Sequence, residues 1–159
     1  MTRVTSVPLI AAIMLIGVMS RAALAQAPAA APQTLTYEMA GQAMEAAEAE
    51  ARKNNWNVTI VVTDAAGIPV MLRRMNGASP RSYDIAMRKA STVIASKLTT
   101  AEYGAQLKAK SVTEVPNGIT FAGGVPIMRG AELIGAVGTS GVTAAQDEVI
   151  SKAGASAIK

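Results

Sequence analysis

The segment that decides the fold of this 159-residue chain is residues 123–141, which read GGVPIMRGAELIGAVGTSG. Two apolar runs, residues 125–128 and 133–137, flank a polar break that contains Gly130. Apolar runs joined by a short glycine-containing break are typical of a β-hairpin. The outer glycines either mark turns only or allow another backbone or a flat ligand to approach, because they carry no Cβ atom.

The residues before this hairpin predict another hairpin, with one helix before it and two helices after it. The residues after position 141 predict a last helix. A first helix is predicted to begin after Thr36, a second at Ser79-Pro80, a third at Thr99 and a last at Thr143, since each start carries capping residues. Alternation of Thr with branched apolar residues predicts a strand over residues 57–63, which a turn at residues 64–67 joins to its hairpin partner over residues 68–75. A further short strand is predicted over residues 119–122. The sequence thus predicts an α+β sandwich with about five mostly antiparallel strands flanked by helices.

The N-terminal region is typical of an exported protein. A short basic start, an apolar run over residues 7–19 and the small residues Ala23 and Ala25 predict a signal peptide over residues 1–25. The run is shorter than the about 17–25 residues of a membrane span, so no stable membrane insertion is expected after cleavage. Residues 26–34 form an Ala/Pro-rich tether, and residues 35–159 form the domain. The predicted location is periplasmic or secreted.

Composition excludes several classes of function. The chain has no cysteine and no histidine, which rules out disulfides, a Ser/His/Asp triad and zinc sites made of imidazole or thiolate. Without Arg3 and Arg21 of the signal, 13 basic residues face 11 acidic ones, a net charge of +2. A weak, dispersed charge with one Phe, one Trp and three Tyr gives no support for nucleic-acid binding.

The remaining chemistry concerns binding. Several basic residues lie close in sequence and either hold carboxylates or phosphates or form a solvated basic face. They are Arg73, Arg74, Arg81, Arg88 and Lys89. Met71, Met75, Met87 and Met128 either line a soft apolar pocket or fill the core. Asp64, Asp84, Glu114 and Asp147 lack metal-ligand spacing and favour turn, cap and surface roles.

Six short motifs in order resemble the GlcG/HbpS haem-binding family, which is related to the C-terminal domain of PduO-type proteins. After an Ala-rich helix come Asp64-Ala-Ala-Gly67, Arg74-Met-Asn-Gly-Ala78, Ala86-x-x-Lys89-Ala90-x-Thr92, Gly123-Gly-Val-Pro-Ile127, and Ile134-Gly-Ala-Val-Gly-Thr-Ser-Gly141 with Gln146-Asp-Glu148. The resemblance covers essentially the whole domain. It implies a profilin-like antiparallel sheet flanked by helices, a homo-oligomer and a haem-binding function, and the signal peptide matches the secreted members.

The resemblance also implies a ligand site. The porphyrin face is expected against Gly123, Gly124, Pro126 and Met75, and the propionates are expected to meet cationic side chains, which are Arg74, Arg81 or Lys89. Without histidine or cysteine, the candidate iron ligands are Met75, Tyr103 or Tyr83, the Thr92 hydroxyl, or water.

Two other functions stay open from the residues. The glycine-bracketed surface suits a subunit interface of a cofactor-free accessory protein, because small residues allow close backbone approach. A small-molecule enzyme acting on hydroxy acids or haem would need Asp, Glu, Lys or Tyr as acid or base. The sequence shows no pair placed for such a reaction, so a binding role is favoured over catalysis.

Overall fold

The structure is a computed structural model that describes Met1 and residues 34–158. The predicted signal peptide and tether lie, apart from Met1 and Thr34, outside the described residues. All described helices and strands belong to the unit Ala31–Lys159. They are α1 Tyr37–Lys53, β1 Thr59–Asp64, β2 Pro69–Arg74, α2 Arg81–Ser96, α3 Thr100–Lys108, β3 Gly124–Arg129, β4 Glu132–Ser140 and α4 Ala144–Ser156.

Two antiparallel hairpins join side by side to make the sheet, whose strand order is β2-β1-β4-β3. β3 and β4 are connected at Gly130, which has φ 61°, so the predicted hairpin is confirmed. β1 pairs antiparallel with β4, with Val61 opposite Gly138. The predicted α+β fold with an antiparallel sheet flanked by helices is confirmed.

The described residues contain four strands, whereas about five were predicted, because residues 119–122 form no strand. The Ile119 backbone N–H donates instead to the Thr92 hydroxyl on α2, at 2.9 Å. A Cβ atom at Gly104 on α3 would lie 2.0 Å from the Thr120 carbonyl oxygen. This segment therefore runs along α2 and α3, and its Ile119 N–H pairs with α2 and not with a strand.

The helices cover both faces of the sheet. α1 buries its predicted alanine stripe, and Gly154 of α4 would place a Cβ 2.8 Å from the Ala43 carbonyl oxygen, so α1 and α4 pack closely. Gly154 also faces Val137, while the neighbouring Gly138 lies against Ala86 of α2. Because successive strand residues point to opposite faces, α4 and α2 lie on opposite sides of β4.

Three of the predicted helix starts have the predicted caps. The Thr36 hydroxyl accepts from the Met39 N–H, and Thr99 and Thr143 each form a complete capping box. The second helix begins at Arg81 without a side-chain cap, although Ser79-Pro80 does precede its first turn. Local sequence therefore sets the helix ends, as expected from their unpaired N–H groups.

Candidate functional site

A cleft of about 450 Å³ lies between α2 and the loop at residues 118–121. Its volume is within the range of small-molecule sites. The α2 wall carries Arg81, Asp84, Ile85 and Arg88, and the loop wall includes Phe121. The α2 residues are spaced i, i+3, i+4 and i+7, which places them on one face of the helix. The cleft therefore combines two guanidinium groups with an apolar surface.

Arg88 connects the α2 wall of the cleft to the loop wall. Its Nε donates to the Asn117 carbonyl oxygen at 3.0 Å, and its guanidinium lies 3.7 Å from the Asp84 carboxylate. Arg81, one helical turn before Asp84, is exposed. Arg81 is thus the cleft cation most available to an anionic ligand, whereas Arg88 also has a structural contact.

The loop wall is held by Thr92 and Tyr103, both predicted as candidate iron ligands. The Thr92 hydroxyl donates to the Arg88 carbonyl at 2.7 Å and accepts from the Ile119 N–H. Tyr103 is buried, and its hydroxyl accepts from the Val115 N–H at 2.8 Å. Both side chains have a role in fixing the loop, and neither lines the cleft.

Phe121 separates the cleft from a buried ion pair. The Lys89 Nζ lies 5.1 Å from the centroid of the Phe121 ring. Lys89 is 0% exposed, and its Nζ donates to the Thr139 carbonyl and to the Asp147 carboxylate, each at 2.8 Å. The ammonium thus has two oxygen partners and an aromatic face, which together suit its three N–H donors.

Burial dominates the protonation chemistry of this pair. Burial lowers the pKa of Lys89, and the hydrogen bond and charge of Asp147 oppose this shift. Burial likewise raises the pKa of Asp147, against the contribution of Lys89. The other Asp147 oxygen accepts from the Val142 N–H at 3.2 Å. Each charge of the pair stabilises the other, since an unpaired charge would be costly in this buried environment.

The predicted glycine contacts are made within the chain itself. Gly123 has φ 121°, and a Cβ there would lie 2.3 Å from the Lys89 Nζ. A Cβ at Gly124 would lie 2.6 Å from a Thr100 methyl group and 2.8 Å from the Lys89 carbonyl. Both glycines are buried, so the close approach that they permit is used by α2 and α3 in the described residues.

The predicted binding residues occupy four different places. Of these residues, only Arg81 lines the cleft. Lys89 lies behind Phe121 with its ammonium buried, next to Gly123 and Gly124. Arg74 is exposed at the end of β2, while Met75 packs half-buried against the main core. Pro126 is half-buried on the edge strand β3, opposite Ala136, an edge position that proline tolerates.

Sequence reasoning did not find the roles of Phe121 and Asp147. Phe121 lies two residues before the recognised Gly123 motif, but a single aromatic residue has no periodic signal. Lys89 and Asp147 each stood within a recognised motif, and their separation along the chain concealed their contact. Arg88 was noted in the basic cluster but not selected, although its i+7 spacing from Arg81 places both on one helix face.

The other acidic residues do not form a metal site in the described part of the chain. No group of three carboxylates there could hold a metal ion. Asp64 accepts from the N–H groups of Ala66 and Ile68, which is the turn role expected for it. Within residues 34–158, no helix has both the length and the apolar character needed to cross a membrane.

Comparisons with known proteins identify relatives across the whole domain. A 15.0 kDa protein encoded in the dhaT-dhaS intergenic region of Citrobacter freundii is 33% identical over 125 residues, which are 75% of this chain and 88% of that protein. Protein GlcG of Escherichia coli K12 is 35% identical over 108 residues, or 67% of this chain and 81% of GlcG.

Solved structures agree with this relationship. A double mutant of Streptomyces reticuli HbpS is 28% identical with a TM-score of 0.74, over 96% of this chain and 99% of that one. A PduOC:heme complex is 28% identical with a TM-score of 0.68, over 80% of this chain and 96% of that one. The family model described as haem degrading protein HbpS-like matches residues 35–156. The resemblance to the GlcG/HbpS family is therefore confirmed, and the chain belongs to the HbpS-like family.

Proposed function

We propose that this protein is an exported haem-binding protein that stores, senses or delivers haem, and that it acts as a homo-oligomer. The observation that carries the proposal is the cleft beside α2, where two arginines stand next to an apolar wall in a chain of this family. The solved PduOC:heme complex supports the choice of ligand. The proposal that the protein is exported rests on the signal peptide predicted for residues 1–25.

The cleft residues fit the chemistry of a porphyrin. Guanidinium groups bind carboxylates through charge-assisted hydrogen bonds, so Arg81 and Arg88 would hold the propionates. Ile85, Ile119 and Phe121 would cover the apolar ring. Two side chains that line the cleft could donate an oxygen ligand to the iron. They are the Asp84 carboxylate and the Thr120 hydroxyl. Bound haem would supply a redox-active iron, and the chain would orient the ring and anchor its edge.

A hemin titration tests the binding function. We expect a saturable Soret shift at micromolar protein, and about tenfold weaker binding in Arg81→Gln, because one charge-assisted contact is lost. Arg74→Gln is the matched control, since it removes the same charge from an exposed position outside the cleft. Absence of a saturable shift would refute haem binding. A larger loss in Arg74→Gln would instead favour the propionate partner predicted from sequence.

The same samples distinguish binding from degradation, which the family description names. Bound hemin is followed over time after addition of hydrogen peroxide, with free hemin as the reference. A Soret band that disappears faster with protein than without it would make haem a substrate. A stable band supports the binding role. Light scattering with and without hemin then reports whether assembly depends on the ligand or occurs as in a cofactor-free accessory protein.

Export is tested on the protein made in its native cell. We expect the product recovered from the periplasm or medium to begin at Gln26, as measured by mass spectrometry of its N-terminal peptide. A product that retains residues 1–25 would contradict the proposed location.

A further inference from the structure

Phe121 lies between the buried Lys89 and the cleft and contacts both. One part of the ring is near the Lys89 Nζ, 5.1 Å from the centroid, and Lys89 itself is 0% exposed. The ring nevertheless remains 46% exposed and lines the cleft. The covered side of Phe121 therefore faces the ammonium, and its free side faces the space where a ligand would lie.

The surroundings of Phe121 hold its backbone in place. Ile119, two residues before it, is hydrogen-bonded to Thr92, and Gly123, two residues after it, lies against the Lys89 ammonium. The Gly123 carbonyl accepts from the Ser151 hydroxyl at 2.8 Å and from the Thr139 N–H. The backbone on both sides of Phe121 is thus fixed to α2, α4 and β4. Because this backbone is fixed before binding, its ordering costs no further conformational entropy when a ligand stacks on the ring.

We infer that Phe121 is a stacking platform for a planar aromatic ligand, and that the cleft recognises the plane and the carboxylates of a porphyrin rather than its iron. Stacking on Phe121 needs only a flat π surface, and Arg81 and Arg88 need only carboxylates. Among the described residues, those that line the cleft offer iron no nitrogen or sulfur ligand but only the oxygen donors of Asp84 and Thr120. The inference rests on the proposed haem site and adds that metal-free porphyrin is also a ligand.

The first experiment needs no variant. Wild-type protein is titrated into protoporphyrin IX, followed by porphyrin fluorescence, and into hemin, followed by the Soret band. We expect the two dissociation constants to agree within about tenfold, because the shared plane and carboxylates supply most of the contacts. Binding of hemin without protoporphyrin IX would overturn the inference and leave the haem function standing. Failure of both ligands to bind would refute the proposed function and the inference with it.

The second experiment tests the ring. Phe121→Leu keeps an apolar side chain but removes the aromatic face, so both ligands should bind about threefold to tenfold more weakly. Phe121→Tyr should restore binding. Tyr37→Leu is the matched control, because Tyr37 is 68% exposed on α1 and does not line the cleft. Unchanged affinity in a folded Phe121→Leu protein, or an equal loss in Tyr37→Leu, would refute the stacking role of Phe121. Circular dichroism establishes that each variant is folded.

Discussion

Replacing Lys89 by methionine should strongly destabilise the protein at neutral pH and much less in mild acid. The change removes the partner of the Asp147 carboxylate, whose side chain is only 3% exposed. Asp147 must then stay charged without a partner or take up a proton. Protonation at pH 7, against an ordinary pKa of 3.8, costs about 4 kcal/mol at about 1.4 kcal/mol per pH unit. We therefore expect a loss of about 4 kcal/mol, similar to other broken buried ion pairs.

The pH dependence follows from the sign of the Asp147 shift. Without Lys89, burial alone holds the folded pKa of Asp147 above its unfolded value. Such a group contributes stability below the unfolded pKa, and this contribution is lost as the pH rises through the folded pKa. The cost of Lys89→Met should therefore fall to about 2 kcal/mol at pH 5, where protonation is easier. The double variant Lys89→Met, Asp147→Asn should be more stable than Lys89→Met at pH 7, since it carries no buried charge.

Urea unfolding followed by circular dichroism at pH 7 and pH 5 measures these differences. The asparagine of the double variant retains an oxygen for the Val142 N–H, which isolates the effect of the charge. If Lys89→Met lowers the free energy of unfolding by less than about 1 kcal/mol at pH 7, the ion pair does not stabilise the fold substantially. An equal cost at both pH values, or a double variant no more stable than Lys89→Met, would refute the argument from an unpaired carboxylate.

Three further changes test the helix packing and the ion pairs of Glu48, a residue that is 8% exposed. Gly138→Ala should cost about 2–3 kcal/mol in thermal or urea unfolding, because its Cβ would lie 2.2 Å from the Ala86 carbonyl. Gly41→Ala in α1, where the nearest atom is a Met71 methyl at 3.6 Å, should instead stabilise by about 0.5–1 kcal/mol. Equal effects would contradict the close approach of α2 to β4. The hydrogen bond from Arg73 lowers the pKa of Glu48 below its ordinary value of 4.5. The ionised Glu48 carboxylate therefore stabilises the fold at pH values above 4.5. The stability advantage of the wild type over Glu48→Gln should shrink as the pH falls below 4.5, and a constant difference in urea unfolding would refute it.

Local sequence was sufficient for most elements of the fold. Apolar segments joined by glycine-containing turns predicted both hairpins, and the side chains of Thr36, Thr99 and Thr143 predicted three helix starts, because caps and turns depend on residues within four positions of each other. The alanine stripe of α1 predicted its buried face. The strand expected at residues 119–122 was wrong, since the Ile119 N–H of that segment donates to Thr92 on the distant helix α2.

The site could be predicted only in part. Charge indicated a basic cluster, including Arg81, that could hold an anion, and the ordered motifs identified the family. Only the tertiary structure placed Lys89 against Asp147, 58 residues further along the chain, and brought Phe121 between this pair and the cleft. The sequence determined which residues could bind a carboxylate or a ring. Folding decided which of them stay at the surface, because helix packing on the glycine-rich strand buries Lys89 and leaves Arg81 exposed.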